Sequence, residues 1–160
     1  EMQRSLVGSE MCIRDREGTA AKKEISFVLD YNTQKELLVE ADESKIHQVL
    51  YNLIDNAVKF SHNNSEIKIS LRKKGAKVFV SVKDSGIGIP KESLNKVFDR
   101  FYKTDISRGK DKRGTGLGLS ISKEIIQAHN QTINVVSTVD VGTEFVFTLK
   151  YHSKKQEASS

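Results

Sequence analysis

A single cysteine, Cys12, is the only thiol in this 160-residue sequence. It excludes an internal disulfide framework and fits a reducing compartment, here taken as the cytoplasm. No apolar run approaches the ~20 residues that a bilayer-spanning helix needs, so any membrane attachment would come through a parent protein. Nor is the charge of one sign, since 26 basic residues against 21 acidic ones leave a formal +5. The basic residues gather at 68–77, 100–113 and 150–155, broken by acidic and apolar ones. The run at 68–77 has no stacking aromatics interleaved, so no nucleic-acid partner is expected. The length suits one domain with a sizeable core.

Residues 1–20 carry neither a helical nor a strand period, so a disordered leader is expected there. It is too short and too charged for the apolar region of a signal peptide. Within it, RSLVGSEMCIRDR (Arg4 to Arg16) is similar to a translated sequencing-adapter tail, which would make it artefactual. A folded domain is expected over 21–151 and a polar, disordered tail over 152–160.

The most informative stretch is KIHQVLYNLIDNAVKFS, Lys45 to Ser61. Ile46, Val49, Leu50, Leu53, Ala57 and Phe60 recur at helical spacing and predict a helix packed on a core. Asn52, Asn56 and Lys59 follow at i, i+4 and i+7 and form a second stripe at the edge of the buried one. A solvated helix shoulder would explain them taken alone. Asparagine is a poor mid-helix residue, however, because its side chain competes for backbone hydrogen bonds. Carboxamide oxygens can ligate Mg²⁺, and their NH₂ groups with a nearby lysine can hold phosphate oxygens.

Around that helix, 24–30 and 36–41 read as two strands joined by a short polar loop, and Asp42 as the helix N-cap. Residues 66–83 alternate as a hairpin turning at Lys74-Gly75. Asp84-Ser85-Gly86-Ile87-Gly88-Ile89-Pro90 follows at once, with Pro90 suited to the first turn of a helix reaching about Phe98. An ordinary strand-to-helix loop is the plain reading. Asp84 at the strand end adds a carboxylate that can accept from an exocyclic amine inside an apolar pocket. The charged segment Thr104 to Arg113 has the composition of a mobile lid, and Gly114-Thr115-Gly116-Leu117-Gly118-Leu119 leads into a helix to about His129. The amides at that helix start would form an anion site, although the run is neither a P-loop nor a dinucleotide fingerprint. A final strand pair spans 132–137 and 143–149.

With these pieces in order, Glu24 to Lys150 resembles the catalytic, ATP-binding domain of sensor histidine kinases, in the superfamily of gyrase, Hsp90 and MutL. QVLYNLIDNAVKFS resembles the N box, DSGIGIP the first glycine box, FDRFYK the F box, GTGLGL the second glycine box, and VGTEFVFTL the closing strand. The resemblance implies the Bergerat fold: an α/β two-layer sandwich whose mixed, mostly antiparallel sheet has helices on one face. It implies Mg-ATP as the bound species. By position, Asn56 would ligate Mg²⁺, Asn52 would assist at the phosphates, Lys59 would contact phosphate and Phe60 would wall the site. Asp84 would bind the adenine amine, Gly86 and Gly88 would let the backbone approach the base, and Ile89 and Thr143 would line the same pocket. Arg100 and Lys103 would reach the terminal phosphate. Gly114, Gly116 and Gly118 would hinge the lid, with Thr115, Leu117 and Leu119 beside them.

Superfamily members that hydrolyse ATP for conformational work resemble one another in carrying a glutamate base four residues before the Mg-ligating asparagine. Here that position is Asn52, which cannot take a proton at neutral pH, and this favours phosphoryl transfer. The acceptor would be a histidine on a dimerisation domain outside the chain, since His47, His62, His129 and His152 lack the expected sequence context. His129 is expected near a helix C-terminus, where a positive charge is favoured. A response regulator is the implied further partner, and the isolated domain is expected to be a monomer. A stand-alone serine kinase of the anti-sigma type, or a non-catalytic binding scaffold, are the competing readings.

Overall fold

The computed structural model describes residues 2–5, 23–31, 37–100 and 118–152. The expected lid at 104–113, together with Lys103, Gly114, Thr115, Gly116 and Leu117, lies outside the described residues.

The longest helix, α1 (Glu43–Phe60), forms where the apolar period predicts it, and buries Ile46, Val49, Leu50, Leu53, Ile54, Ala57 and Val58. Asp42 caps it, accepting from the Lys45 N–H at 3.3 Å, which satisfies one of the orphan donors of the first turn. At the other end Ser61 leaves the helix in extended conformation. The second helix, α2 (Gly118–Ala128), packs beside α1. It ends on Asn130 at φ 58°, with the Gln131 N–H returning to the Ile126 carbonyl, the left-handed stop that asparagine tolerates.

Among the described residues, seven strands make one sheet: β1 (Met2–Ser5), β2 (Ser26–Tyr31), β3 (Leu38–Ala41), β4 (Glu66–Lys74), β5 (Lys77–Asp84), β6 (Ile133–Thr138) and β7 (Gly142–Tyr151). Their order is β1-β3-β7-β5-β4-β2, with β6 also on β7. The β4–β5 hairpin and the β6–β7 pair form as the alternation predicts. Strands β2 and β4 run parallel, whereas the other described pairs are antiparallel. Alternate residues of the central strands, Ile67, Ile69, Leu71, Val78, Val80, Val82, Phe145, Phe147 and Leu149, face the helices and form the core with α1. Full burial of each such side chain contributes on the order of 1.5–3 kcal/mol. The result is the expected mixed sheet with helices on one face.

Several expectations are corrected. Met2–Ser5 does not belong to a structureless leader but pairs antiparallel with Leu38–Ala41, so the β3 backbone gains a partner. The strands expected at 24–30 and 36–41 form as β2 and β3, slightly displaced, with β2 joining β4 and β3 joining β7. No long helix follows Pro90. A single 3-10 turn spans Lys91–Ser93, and its successors close by i to i+3 bonds, Lys96 to Ser93 and Asp99 to Lys96. Ser93 and Asn95 are weak helix formers, and a segment this short does not repay nucleation of an α-helix. His152 is not part of a solvated tail, being 4 % exposed, with its N–H on the Leu38 carbonyl at 2.9 Å. His129 does lie at the C-terminal end of α2, as expected, and there it joins α2 to the start of α1. Its Nε2 accepts from the Asp42 N–H at 3.0 Å, which leaves Nδ1 to donate to the Ile125 carbonyl at 2.8 Å.

Candidate active site

Strand β5 ends on Asp84, which is 7 % exposed. Its Oδ1 accepts from the Gly86 N–H at 2.9 Å and from the Thr143 N–H at 3.3 Å. Among the described residues, both of its hydrogen bonds fall on Oδ1. Oδ2 is thus left to accept from a ligand. Burial pushes the Asp84 carboxyl above the usual carboxylate range, against the opposing pull of the two N–H donors and of His62. A buried, partly bonded carboxylate fits a neutral N–H donor such as an exocyclic amine, because such a group restores the missing bond without adding charge.

The loop after Asp84 is fixed on two sides. On one, the Ile87 N–H donates to the Phe60 carbonyl at the end of α1 at 3.1 Å. An ideal Cβ on Gly86 would stand 2.1 Å from that same oxygen. On the other, the Asp140 N–H donates to the Ile87 carbonyl at 2.9 Å, and the Ile89 N–H donates to Ser137 Oγ at 2.8 Å. Gly88 has φ 75°, and a Cβ there would stand 2.3 Å from the Thr138 carbonyl oxygen. Both glycines are therefore required by contacts with the protein's own backbone, a reason independent of any base.

The asparagine stripe divides. Asn52 joins the helices, its Nδ2 donating to the Gly118 carbonyl at 3.1 Å and to Ser122 Oγ at 3.3 Å. Asn56 is half-buried, and its side chain makes no hydrogen bond to a described residue, so its carboxamide can serve a ligand. Lys59 pairs along the helix with Asp55 at 3.1 Å. To reach a phosphate it would have to leave that carboxylate. Ile89 and Leu119 pack on the core as half-buried apolar residues. Arg100 bonds Glu124 of α2 at 2.7 Å and remains 68 % exposed, so the pair is a surface one. That bond raises the Arg100 pKa.

Among the described residues no three His, Cys, Asp or Glu side chains could hold a metal together. The Asn56 carboxamide suits a hard cation that takes its remaining ligands from phosphate and water, as Mg²⁺ does. Residues that the sequence reading overlooked include Ser122, Ser137 and the backbone carbonyl of Phe60. Most of their partners lie tens of residues away or on main-chain atoms, so little in the local pattern marks them. Ser137 alone carried a hint, as a hydroxyl close before the Val141-Gly142 turn.

A sheet with helices on one face, a buried carboxylate at a strand end and an asparagine-bearing helix beside it define a nucleotide-binding domain of the Bergerat class. A family model described as histidine kinase-, DNA gyrase B-, and HSP90-like ATPase matches residues 41–153. The sensor histidine kinase WalK of Bacillus subtilis (strain 168) is 40% identical over 147 residues, covering 91% of this chain and 24% of WalK. The catalytic domain of histidine kinase ThkA superposes with a TM-score of 0.81 at 34% identity, covering 93% of this chain and 94% of that one. ThkA in complex with the response regulator protein TrrA superposes at 0.77 with 31% identity, covering 94% of this chain and 42% of that one. The chain belongs to the histidine kinase-, DNA gyrase B-, and HSP90-like ATPase family, as an ATP-binding catalytic domain of the sensor histidine kinase type. It spans about a quarter of the length of the curated relatives it matches. Among the described residues no helix is long and apolar enough to cross a membrane.

Proposed function

We propose that this domain binds Mg-ATP and donates the γ-phosphoryl group to a histidine on a dimerisation domain outside this chain. A response regulator would receive the group next. The observation that carries the ATP reading is Asp84: a buried carboxylate with both bonds on Oδ1 and Oδ2 left for the adenine amine. Asn56 would hold Mg²⁺, which when bound would neutralise phosphate charge. In the transfer, a nitrogen of the acceptor imidazole forms the N–P bond as the bond to the ADP oxygen breaks. Such a reaction asks the protein chiefly for positioning and charge compensation. Lys59, Arg100 and Lys103 would supply the cations, with Asn52 beside the phosphates. Asn52 stands where a water-activating base would be needed for hydrolysis and cannot act as one, which favours transfer.

The kinship with sensor kinases favours histidine over serine as the acceptor, and ThkA's complex with TrrA supports a response-regulator partner. The reading places the domain in the cytoplasm, as a monomer when isolated. The test is to mix the chain with the dimerisation domain of Bacillus subtilis WalK and γ-labelled ATP. Label on that domain that is lost in acid and kept in base is the expected phosphohistidine. Acid-stable label would instead indicate a hydroxyl acceptor, and no transfer despite ATP binding would refute the kinase reading.

A further inference from the structure

Ser137, on β6, connects the glycine loop to the start of β7. Its Oγ lies 2.8 Å from the Ile89 nitrogen, 3.0 Å from the Gly142 carbonyl oxygen and 2.8 Å from Thr143 Oγ1. Thr143 in turn donates its N–H to Asp84 Oδ1. A serine hydroxyl has one proton and two lone pairs. The Ile89 N–H can only donate and the Gly142 carbonyl can only accept. All three contacts are made together in one arrangement: Ser137 donates to Gly142, and accepts from both Ile89 N–H and the Thr143 hydroxyl. The Thr143 proton is then committed to Ser137, and Thr143 Oγ1 has only lone pairs to offer elsewhere.

We propose that Ser137 is a positioning residue that sets Thr143 as an acceptor beside Asp84, so that the pocket selects bases carrying an exocyclic amine. This rests on the ATP-binding reading above and deepens it. Asp84 Oδ2 and Thr143 Oγ1 together present acceptors to an amine at the 6-position of a purine. A 6-carbonyl, as in inosine triphosphate, meets acceptor with acceptor unless Thr143 turns its proton away from Ser137. Discrimination therefore includes the Ser137–Thr143 bond. Without Ser137 the Thr143 proton is free to serve a carbonyl at no such loss.

The test is calorimetric titration of the full chain with non-hydrolysable analogues of ATP and inosine triphosphate. Wild type, Ser137→Ala and Ser137→Thr are compared. Losing the Ile89 bond weakens both nucleotides alike, so the ratio of the two affinities is the diagnostic. Ser137→Ala is expected to reduce the preference for ATP roughly 2- to 10-fold, the worth of one ordinary hydrogen bond. Ser137→Thr, which keeps the hydroxyl and suits a strand, should restore it. A wild-type preference for ATP that persists in Ser137→Ala overturns the inference and leaves the ATP reading standing. Wild type binding neither nucleotide sinks both. Should Ser137→Ala fail to fold, Thr143→Val asks the same question by removing the acceptor: a reduced preference supports the assignment, and an unchanged one refutes it.

Discussion

Replacing Asp84 by asparagine isolates the interaction on which the nucleotide reading depends. The amide is isosteric, and its oxygen can keep the bonds from Gly86 and Thr143 that now fall on Oδ1. What changes is Oδ2, which becomes an NH₂ facing the amine of adenine. A hydrogen bond to a charged group contributes about 1.5–3 kcal/mol, and its loss corresponds to roughly 10- to 150-fold weaker ATP binding. The fold should not suffer. Burial raises the Asp84 pKa, so ionised Asp84 opposes folding. The stability contributed by its protonated form is fully present below the unfolded-state pKa and is lost as pH rises through the raised folded-state value. Asp84→Asn removes that slope and is expected to be at least as stable as wild type at neutral pH. In wild type, ATP affinity should fall as pH drops through the same raised pKa, because the acceptor is then protonated. Calorimetric titration together with thermal melts across the acidic and neutral range checks both. Unchanged ATP affinity in a folded Asp84→Asn chain would refute the pocket assignment.

Gly88→Ala combines a strained positive φ with a Cβ 2.3 Å from the Thr138 carbonyl oxygen. It should destabilise by about 1–3 kcal/mol, read as a lower denaturation midpoint. Asn52→Ala removes the bonds to Gly118 and Ser122. It should cost about 1–2 kcal/mol, with faster amide exchange in the first turn of α2; exchange unchanged from wild type would contradict its role as a joint. Arg100→Ala loses only an exposed pair with Glu124, so the denaturation midpoint should stay near that of wild type. Any loss of phosphoryl transfer would then report on the site, and a large drop in melting temperature would contradict the surface assignment.

How far the sequence could be read depends on the distance over which each feature is encoded. Helix α1 was legible because seven buried residues repeat at its own period, and its cap lies one residue before it. Hairpins β4–β5 and β6–β7 were legible for the same local reason. The partners of β2 and β3 were not, because β4 and β7 lie beyond α1 and no alternation within a strand names its neighbour. The segment after Pro90 failed because one favourable residue could not outweigh the weak formers behind it. Asp84 was visible as a carboxylate at a strand end, but the two N–H groups that orient it come from Gly86 and from Thr143 across the sheet. Asn52 looked like part of a ligand stripe, and the structure adds a joint to α2 that sequence spacing could not reveal. Ser137 shows the same limit: three contacts from two segments converge on a residue that in sequence is one more polar position in an alternating strand.

The proposed site holds Mg-ATP through Asp84 and Asn56. The most direct test is a calorimetric titration of the chain with a non-hydrolysable ATP analogue, with and without Mg²⁺. Saturable binding to one site, tightened by Mg²⁺ in wild type and insensitive to it in Asn56→Ala, is the predicted result. A folded chain that binds no nucleotide, or binds it without regard to Mg²⁺, would rule out that site.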